Sequence, residues 1–362
     1  GQQIWSDSFD DAETEIFRLQ DTIATQTASA LSLNLNLNNR GVVLKHYTSN
    51  GDAYQAYQSG RYLHFQNQYR KAILEFERAL RFDSKYVLAY AGLADSYAFL
   101  ANDSEGKERV ALYEKAKSYA LQALALDENL AEAHTSLGWI RRIYDWDWAE
   151  AEKHLRRAVE LDPNSSVARQ RLAYLYITLG KTPEAVQISI QATQLDPIGH
   201  SVGWAFYCDR QYEESAAEYS RRLALATSVD MQREPRLGLM LNYNELGRFP
   251  EVVSVYDESP HELKSDFAFN VVLATALYGL GKKYESGDVL RSLEQKAKER
   301  NGRWVRLAHL YASMDREDDA ISALERGLET RDDRLMWINV SPQLDKLRDD
   351  ARFRDILRKM GL

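Results

Sequence analysis

A period of 34 residues recurs along this chain, and it restricts the fold more than any other feature. The segment from Ala151 through Leu155, Ala158, Leu161 and Asp162 to Pro163 is repeated from Ala185 through Ser189, Ala192, Leu195 and Asp196 to Pro197; Ala158 to Ala192 and Pro163 to Pro197 are each 34 residues apart. An earlier copy runs from Tyr69 to Asp83 through Ala72, Phe76, Ala79 and Leu80. A fixed period of this length marks one supersecondary unit that cannot bury its own apolar face and must stack on its neighbours. Apolar residues return at i, i+3, i+4 and i+7, and only 7 prolines and 18 glycines interrupt them. The unit is therefore two helices and a turn. Small residues at Gly138, Ala151, Ala158, Ala173, Ala185 and Ala192 let paired helices approach closely, while Leu155 and Tyr176 fill the space beside them.

The pattern resembles the tetratricopeptide repeat (TPR), which implies an all-α superhelical solenoid. Alignment outward predicts about eight repeats. Their first helices contain Gly60, Ala94, Gly138, Ala173, a short one near Trp204, Met240, Thr275 and Ala308; their second helices contain Ala72, Ala116, Ala151, Ala185, Ser215, Val252, Gly287 and Ala320. The array is expected over 52–335, with irregularities at 101–111 and 199–230. In the first, the 12 residues from Gly60 to Ala72 become 22 from Ala94 to Ala116, read as a surface loop around Asn102–Lys107. In the second, Tyr212 to Ser215 arrives about four residues early, shortening the fifth repeat. Residues 341–362 are expected to form a C-terminal capping helix, because the end of a solenoid otherwise leaves an apolar face in water.

The first fifty residues do not follow the repeat. Gln2–Phe9 reads as a strand, and Ala12 to about Leu33 as a long helix with Ile16, Phe17, Leu19 and Ile23 on one side. The runs Gln3–Asp10 and Ile16–Ala24 resemble the end of the TolB-like α/β module that precedes TPR arrays in bacterial signalling proteins, giving a 1–47 remnant of that module. Leu347-Arg348-Asp349, Arg352-Phe353 and Leu357–Leu362 resemble the C-terminal signature of the same family. The resemblance implies a piece of a multi-domain bacterial regulator, whose upstream part is commonly a winged-helix DNA-binding, nucleotide cyclase or kinase domain. A lone strand has unpaired edges, so this segment is expected either to pack on the first repeats or to form a homodimer with a second copy of itself.

Charge and composition exclude several other classes. Lys plus Arg is 46 against 54 for Asp plus Glu, a net charge of -8, so direct nucleic-acid binding by this chain is not expected. No run approaches 18 apolar residues and the N-terminus lacks signal-peptide regions, so no membrane insertion is expected. Cytoplasmic placement is favoured, with a periplasmic one following if a membrane span lies upstream. Cys208 is the single cysteine, which rules out an internal disulfide and a cysteine-based zinc site; it reads as a buried thiol. Seven scattered histidines include no pair spaced to place two ligands on one helical face, so no metal site is expected. Gly279-Leu280-Gly281 is a turn and not a dinucleotide fingerprint. No catalytic residues and no cofactor are expected.

The first helices of a TPR stack line a groove, and by register it presents Tyr57, Arg61, Phe65, Phe99, Trp139, Arg142, Gln170 and Tyr174. Aromatics beside an arginine suit a protein or peptide partner. Phe65 and Phe99 serve equally well to cover the next repeat's core, and that alternative stays open. A basic patch of Arg141, Lys153, Arg156, Arg157, Arg169 and Arg171 is either a solvated helix face or a site for an acidic segment or anion. The expected function is that of a non-catalytic interaction or sensory module of a bacterial regulator. The alternative is a free-standing, self-associating assembly scaffold or co-chaperone.

Overall fold

A computed structural model describes residues 47–102, 104, 106–299 and 303–362; the expected strand and long helix of the N-terminal segment lie outside them. The described chain is all-α, with no strand among the described residues. Eight helical hairpins follow one another: α1 (Gly51–Phe65) with α2 (Tyr69–Phe82), α3 (Val87–Asn102) with α4 (Gly106–Leu126), α5 (Ala131–Ile140) with α6 (Trp148–Leu161), α7 (Ser166–Thr178) with α8 (Thr182–Leu195), α9 (Gly203–Cys208) with α10 (Tyr212–Leu225), α11 (Val229–Glu245) with α12 (Phe249–Asp257), α14 (Phe267–Gly279) with α15 (Lys283–Glu299), and α16 (Trp304–Ser313) with α17 (Glu317–Thr330). The four-residue α13 (His261–Lys264) links the sixth and seventh, and α18 (Ala351–Lys359) ends the chain. Contacts divide the chain into two compact units, unit 1 ending at Leu137 and unit 2 beginning at Gly138.

The hairpin contact is made by a missing side chain. A Cβ on Gly138 would stand 2.7 Å from Leu155 Cγ and 3.2 Å from the Ala151 carbonyl oxygen, so α5 and α6 touch backbone to side chain. In unit 1, Gly60 and Gly92 close on Phe76 from two helices in the same way, at 2.7 and 2.6 Å. Phe76, Leu155 and the alanines at 72, 79, 151, 158, 185 and 192 are buried. Burial of apolar surface along this seam, at about 25 cal/mol per Å², is the main stabilising term.

Most hairpin turns hold one residue with a left-handed backbone: Asn67, Trp146, Gly180, Arg210, Gly247, Gly281 and Asp315, all with φ between 57° and 76°. Glycine is at ease there; Trp146 and Arg210 are not, and such a bulky residue costs about 1 kcal/mol or more. Both are held by the C-terminal segment. The Arg331 guanidinium lies 4.8 Å from the Trp146 ring centroid, and Arg210 donates to the Val340 carbonyl at 2.6 Å and to Asp345 at 2.9 and 3.1 Å.

Four sequence expectations need correction. The extra residues of the second repeat form no long loop, because residues 101–102 and 106–111 are helical and the insertion lengthens α3 and α4. In the seventh repeat the small buried residue is Ser286, not Gly287; its hydroxyl donates to the Ala274 carbonyl at 2.7 Å, just as Ser215 donates to Gly203 in the fifth at 2.8 Å. Thr275 is likewise displaced by Ala274 as the close-packed position, a slip of one residue that rotates the predicted face by about 100°. Finally, residues 341–362 are not one helix. Two 3-10 turns, Asp333–Trp337 and Pro342–Leu347, precede α18. Leu344, Leu347, Phe353, Ile356 and Met360 do cover the apolar end of α16 and α17.

Candidate functional site

In unit 1 the first-helix face is made by α1 and α3. Tyr57 is buried against Phe76 and Tyr86, with ring centroids 5.7 and 5.1 Å apart, and burial drives its hydroxyl pKa up. Its partner in the predicted groove, Arg61, is exposed and lies over the Tyr57 ring at 5.9 Å. Phe99 is half-buried, stacked on Tyr69 at 5.3 Å and edge-on to His64. His64 Nδ1 is 2.9 Å from the Ser96 hydroxyl. Phe65 is 79% exposed, so it does not cover the core of the next repeat, and Tyr62 beside it is 66% exposed.

Unit 2 handles the same face differently. After α5, a π-helical turn at Arg141–Asp145 adds a residue to the winding, and within it Arg142 turns fully inward. Its guanidinium carbon lies 4.5 Å from the Trp337 ring centroid, 5.0 Å from Trp139 and 6.0 Å from Tyr174. Its Nε and Nη2 donate to the Thr178 hydroxyl at 3.1 and 2.9 Å, while Nη1 is buried without a partner. Burial lowers the Arg142 pKa to about 9, which leaves it charged at neutral pH. Three aromatic faces and one hydroxyl thus take the place of a carboxylate around a buried cation, a setting where each cation–π contact is worth about 2 kcal/mol. Arg142 therefore does not face an open groove. Gln170 is buried as well, and Trp139 and Tyr174 are half-buried with their rings 6.2 Å apart.

What covers this face is the chain's own C-terminal segment. The Trp337 ring meets Tyr174 and Trp204 edge-on, each at 5.6 Å. Arg331 donates to the Tyr144 carbonyl at 2.7 Å, and Asn339 donates to the Thr178 carbonyl at 3.1 Å. Gln343 donates to Glu245 at 2.7 Å and also contacts the Tyr207 hydroxyl. Glu245 accepts from Tyr207 at 3.2 Å, and burial pushes its carboxyl up to about 7. Sequence reasoning missed Trp337, Trp204 and Gln343. The one available signal was the apolar run Leu335-Met336-Trp337-Ile338 beyond the last repeat.

The basic patch does not assemble into a free cationic surface. Arg141 pairs with Asp145, Lys153 with Glu150, Arg156 with Glu152 and Arg157 with Glu160, each three or four residues apart on one helix. Arg169 bonds to Gln191 and to the Pro163 carbonyl, while Arg171 is buried with its guanidinium 5.5 Å from the Trp139 ring. Such exposed pairs contribute little net field or stability. Among the described residues, no group of three or more His, Cys, Asp or Glu side chains is arranged to hold a metal, and no helix is long and apolar enough to cross a membrane.

The fold is an all-α array of helical hairpins, parts of which carry tetratricopeptide repeats. The sequence matches the tetratricopeptide repeat at residues 146–197 and again at 303–333. Over 178 residues it is 27% identical to mouse Superkiller complex protein 3, covering 49% of this chain and 11% of that protein, so the chain spans about a tenth of that relative's length. Among solved structures it is similar to a thermophilic TPR protein of Thermus thermophilus, at 21% identity and a TM-score of 0.37, covering 51% of this chain and 92% of that one. It is also similar to PilW, a type IV pilus biogenesis factor, at 16% identity and a TM-score of 0.39, covering 70% and 96%.

Proposed function

We propose that this chain is a non-catalytic interaction module of a bacterial regulator, and that a partner protein or peptide docks on the first-helix face of unit 1. The observation that carries this reading is a contrast between the two units. In unit 2 that face already holds a chain segment: Arg210 donates to the segment's Val340 carbonyl, the segment's own Arg331 and Asn339 donate to the Tyr144 and Thr178 carbonyls, and the Trp337 ring anchors it. A buried aromatic anchor seated among rings and a cation is how a groove takes up a chain segment. In unit 1 the equivalent face leaves Arg61, Tyr62 and Phe65 exposed, and exposed aromatics beside an arginine are the residue types that dominate binding energy.

Arg61 and Phe65 are one helical turn apart and are the first residues to test. Cross-linking capture from the source cell would compare the parent chain with an Arg61→Glu/Phe65→Ala form, both checked by circular dichroism. A protein lost from the variant and retained by Trp139→Ala/Tyr174→Ala supports docking on unit 1. Equal capture by all three removes the assignment. Coupling to an upstream output domain is tested separately, by exchanging the array in the full-length protein and finding output regulation altered; unchanged regulation overturns that part.

A further inference from the structure

Inside unit 2, between α7, α9, α10, α11, α14, α16 and the C-terminal segment, lies a cavity of about 250 Å³. Its wall has two characters. One part is apolar and aromatic, with Tyr174, Trp204, Tyr219, Trp337, Leu241 and Val272. The other is cationic, with Arg233, Arg306, Arg334 and His309 against one carboxylate, Glu234. Their hydrogen bonds are unevenly filled. Arg233 donates twice to Asp266, at 3.0 and 2.6 Å, and Glu234 accepts from Arg222 at 3.3 Å.

Arg306, by contrast, makes no hydrogen bond and no ion pair among the described residues. The Arg334 side chain has only a loose ion pair, from Nε to Asp333 at 3.9 Å, and that buried Nε makes no hydrogen bond. Trp204 Nε1 and His309 Nε2 are buried donors or acceptors with no partner either. The aspartates whose charges act on Arg306 are Asp333, Asp266 and Asp332, and none of them makes a hydrogen bond or ion pair with it; Asp333 lies 3.9 Å from Arg334. Asp266 serves Arg233 and the Ala268 amide, and Asp332 accepts from the Val305 and Arg334 amides. Buried polar groups in native proteins are almost always satisfied. A cluster of unfilled donors on one wall of an otherwise apolar cavity is the arrangement that fixes the polar end of a small ligand.

We propose that this cavity binds a small organic anion: a carboxylate set against Arg306 and Arg334, carrying a compact apolar body that packs on the Trp204 and Trp337 rings. A planar carboxylate matches the guanidinium fork, and charge-assisted bonds of this kind are about twice as strong as neutral ones. The carboxylate can belong to a free acid or to the C-terminal residue of a short peptide, since both present the same group. This site is independent of the docking face on unit 1, and its test uses the purified chain alone.

Titration calorimetry, with indole fluorescence as a second readout, would use phenylacetate, 4-methylpentanoate and indole-3-acetate, each beside its neutral amide. Ala-Ala-Phe with a free C-terminus would be compared with its amidated form. The expected result is saturable binding of at least one acid, with its amide weaker by about tenfold or more. Arg306→Gln and Arg334→Gln should each weaken the acid by about tenfold and leave the amide unchanged, and Arg306→Lys should fall between. Tighter binding of the peptide acid than of the free acids assigns the source to a chain terminus, and the reverse assigns it to a free metabolite; either supports the anion site. No saturable binding by any acid up to about 10 mM, or equal affinity for acid and amide, overturns it. If neither arginine variant folds by circular dichroism, the acid-against-amide comparison on the parent chain decides.

Discussion

The Trp337 indole lies across the Arg142 guanidinium at 4.5 Å, joining the π-helical turn after α5 to a 3-10 turn beyond the last repeat. The two residues belong to opposite ends of unit 2, and their contact closes the first-helix face between them. Removing either partner has unequal consequences, because one supplies the buried charge and the other its cover.

Trp337→Ala should lower the stability of unit 2 by about 3 kcal/mol, the range for truncating a large aromatic, since it opens a void and uncovers a buried cation. Arg142→Met, which removes the charge and keeps the volume, should cost far less or stabilise. Urea unfolding of the two single variants and the double variant gives the coupling directly. A coupling energy near zero would mean that the ring and the cation do not stabilise each other.

Glu245 makes the closure pH-dependent. Its folded pKa, raised to about 7 by burial, exceeds that of an unfolded glutamate, so the folded chain retains a proton that the unfolded chain releases. The associated stability is fully present below about pH 4, and falls by up to about 3 kcal/mol as pH rises to about 7. Glu245→Gln should remove this decline and leave the remaining pH profile in place. Unfolding midpoints between about pH 4 and 8 test it, and an unchanged slope in the variant would assign the effect to other groups.

Two glycines should respond oppositely to alanine. At Gly138 the new Cβ meets Leu155 and the Ala151 carbonyl, so Gly138→Ala should destabilise by about 1–3 kcal/mol despite alanine's better helix propensity, with partial recovery in a Leu155→Ala background. At Gly287 the nearest atom is the mobile end of Arg291 at 3.7 Å, and Gly287→Ala should stabilise by about 0.5–1 kcal/mol. Thermal melts compare the signs.

Cys208 is buried, and burial drives its thiol pKa upward, so the reactive thiolate is scarce. Labelling by a disulfide reagent should be about a hundredfold or more slower in the native chain than in urea. Fast native labelling would show that α9 opens readily.

The sequence by itself determined the repeat: its period, its helical hairpins, and the small residues that let Gly138 approach Leu155. These are legible because each repeat mainly contacts its neighbours, so its apolar pattern is written locally in the chain. The register slipped at Ser286, where a serine replaces the alanine that marks the position elsewhere. A buried serine hydroxyl bonded to a backbone carbonyl substitutes for a methyl group without leaving a hydrophobic signal. Only the tertiary structure decided which first-helix faces are open. Arg142 and Gln170 have the register of groove residues, yet Arg142 lies under Trp337 and Gln170 is buried. The groups that line the cavity come from helices far apart in the chain and from the C-terminal segment, and no local periodicity encodes their meeting. Long-range closure depends on how the stacked repeats bring distant side chains together, which is a property of the folded chain.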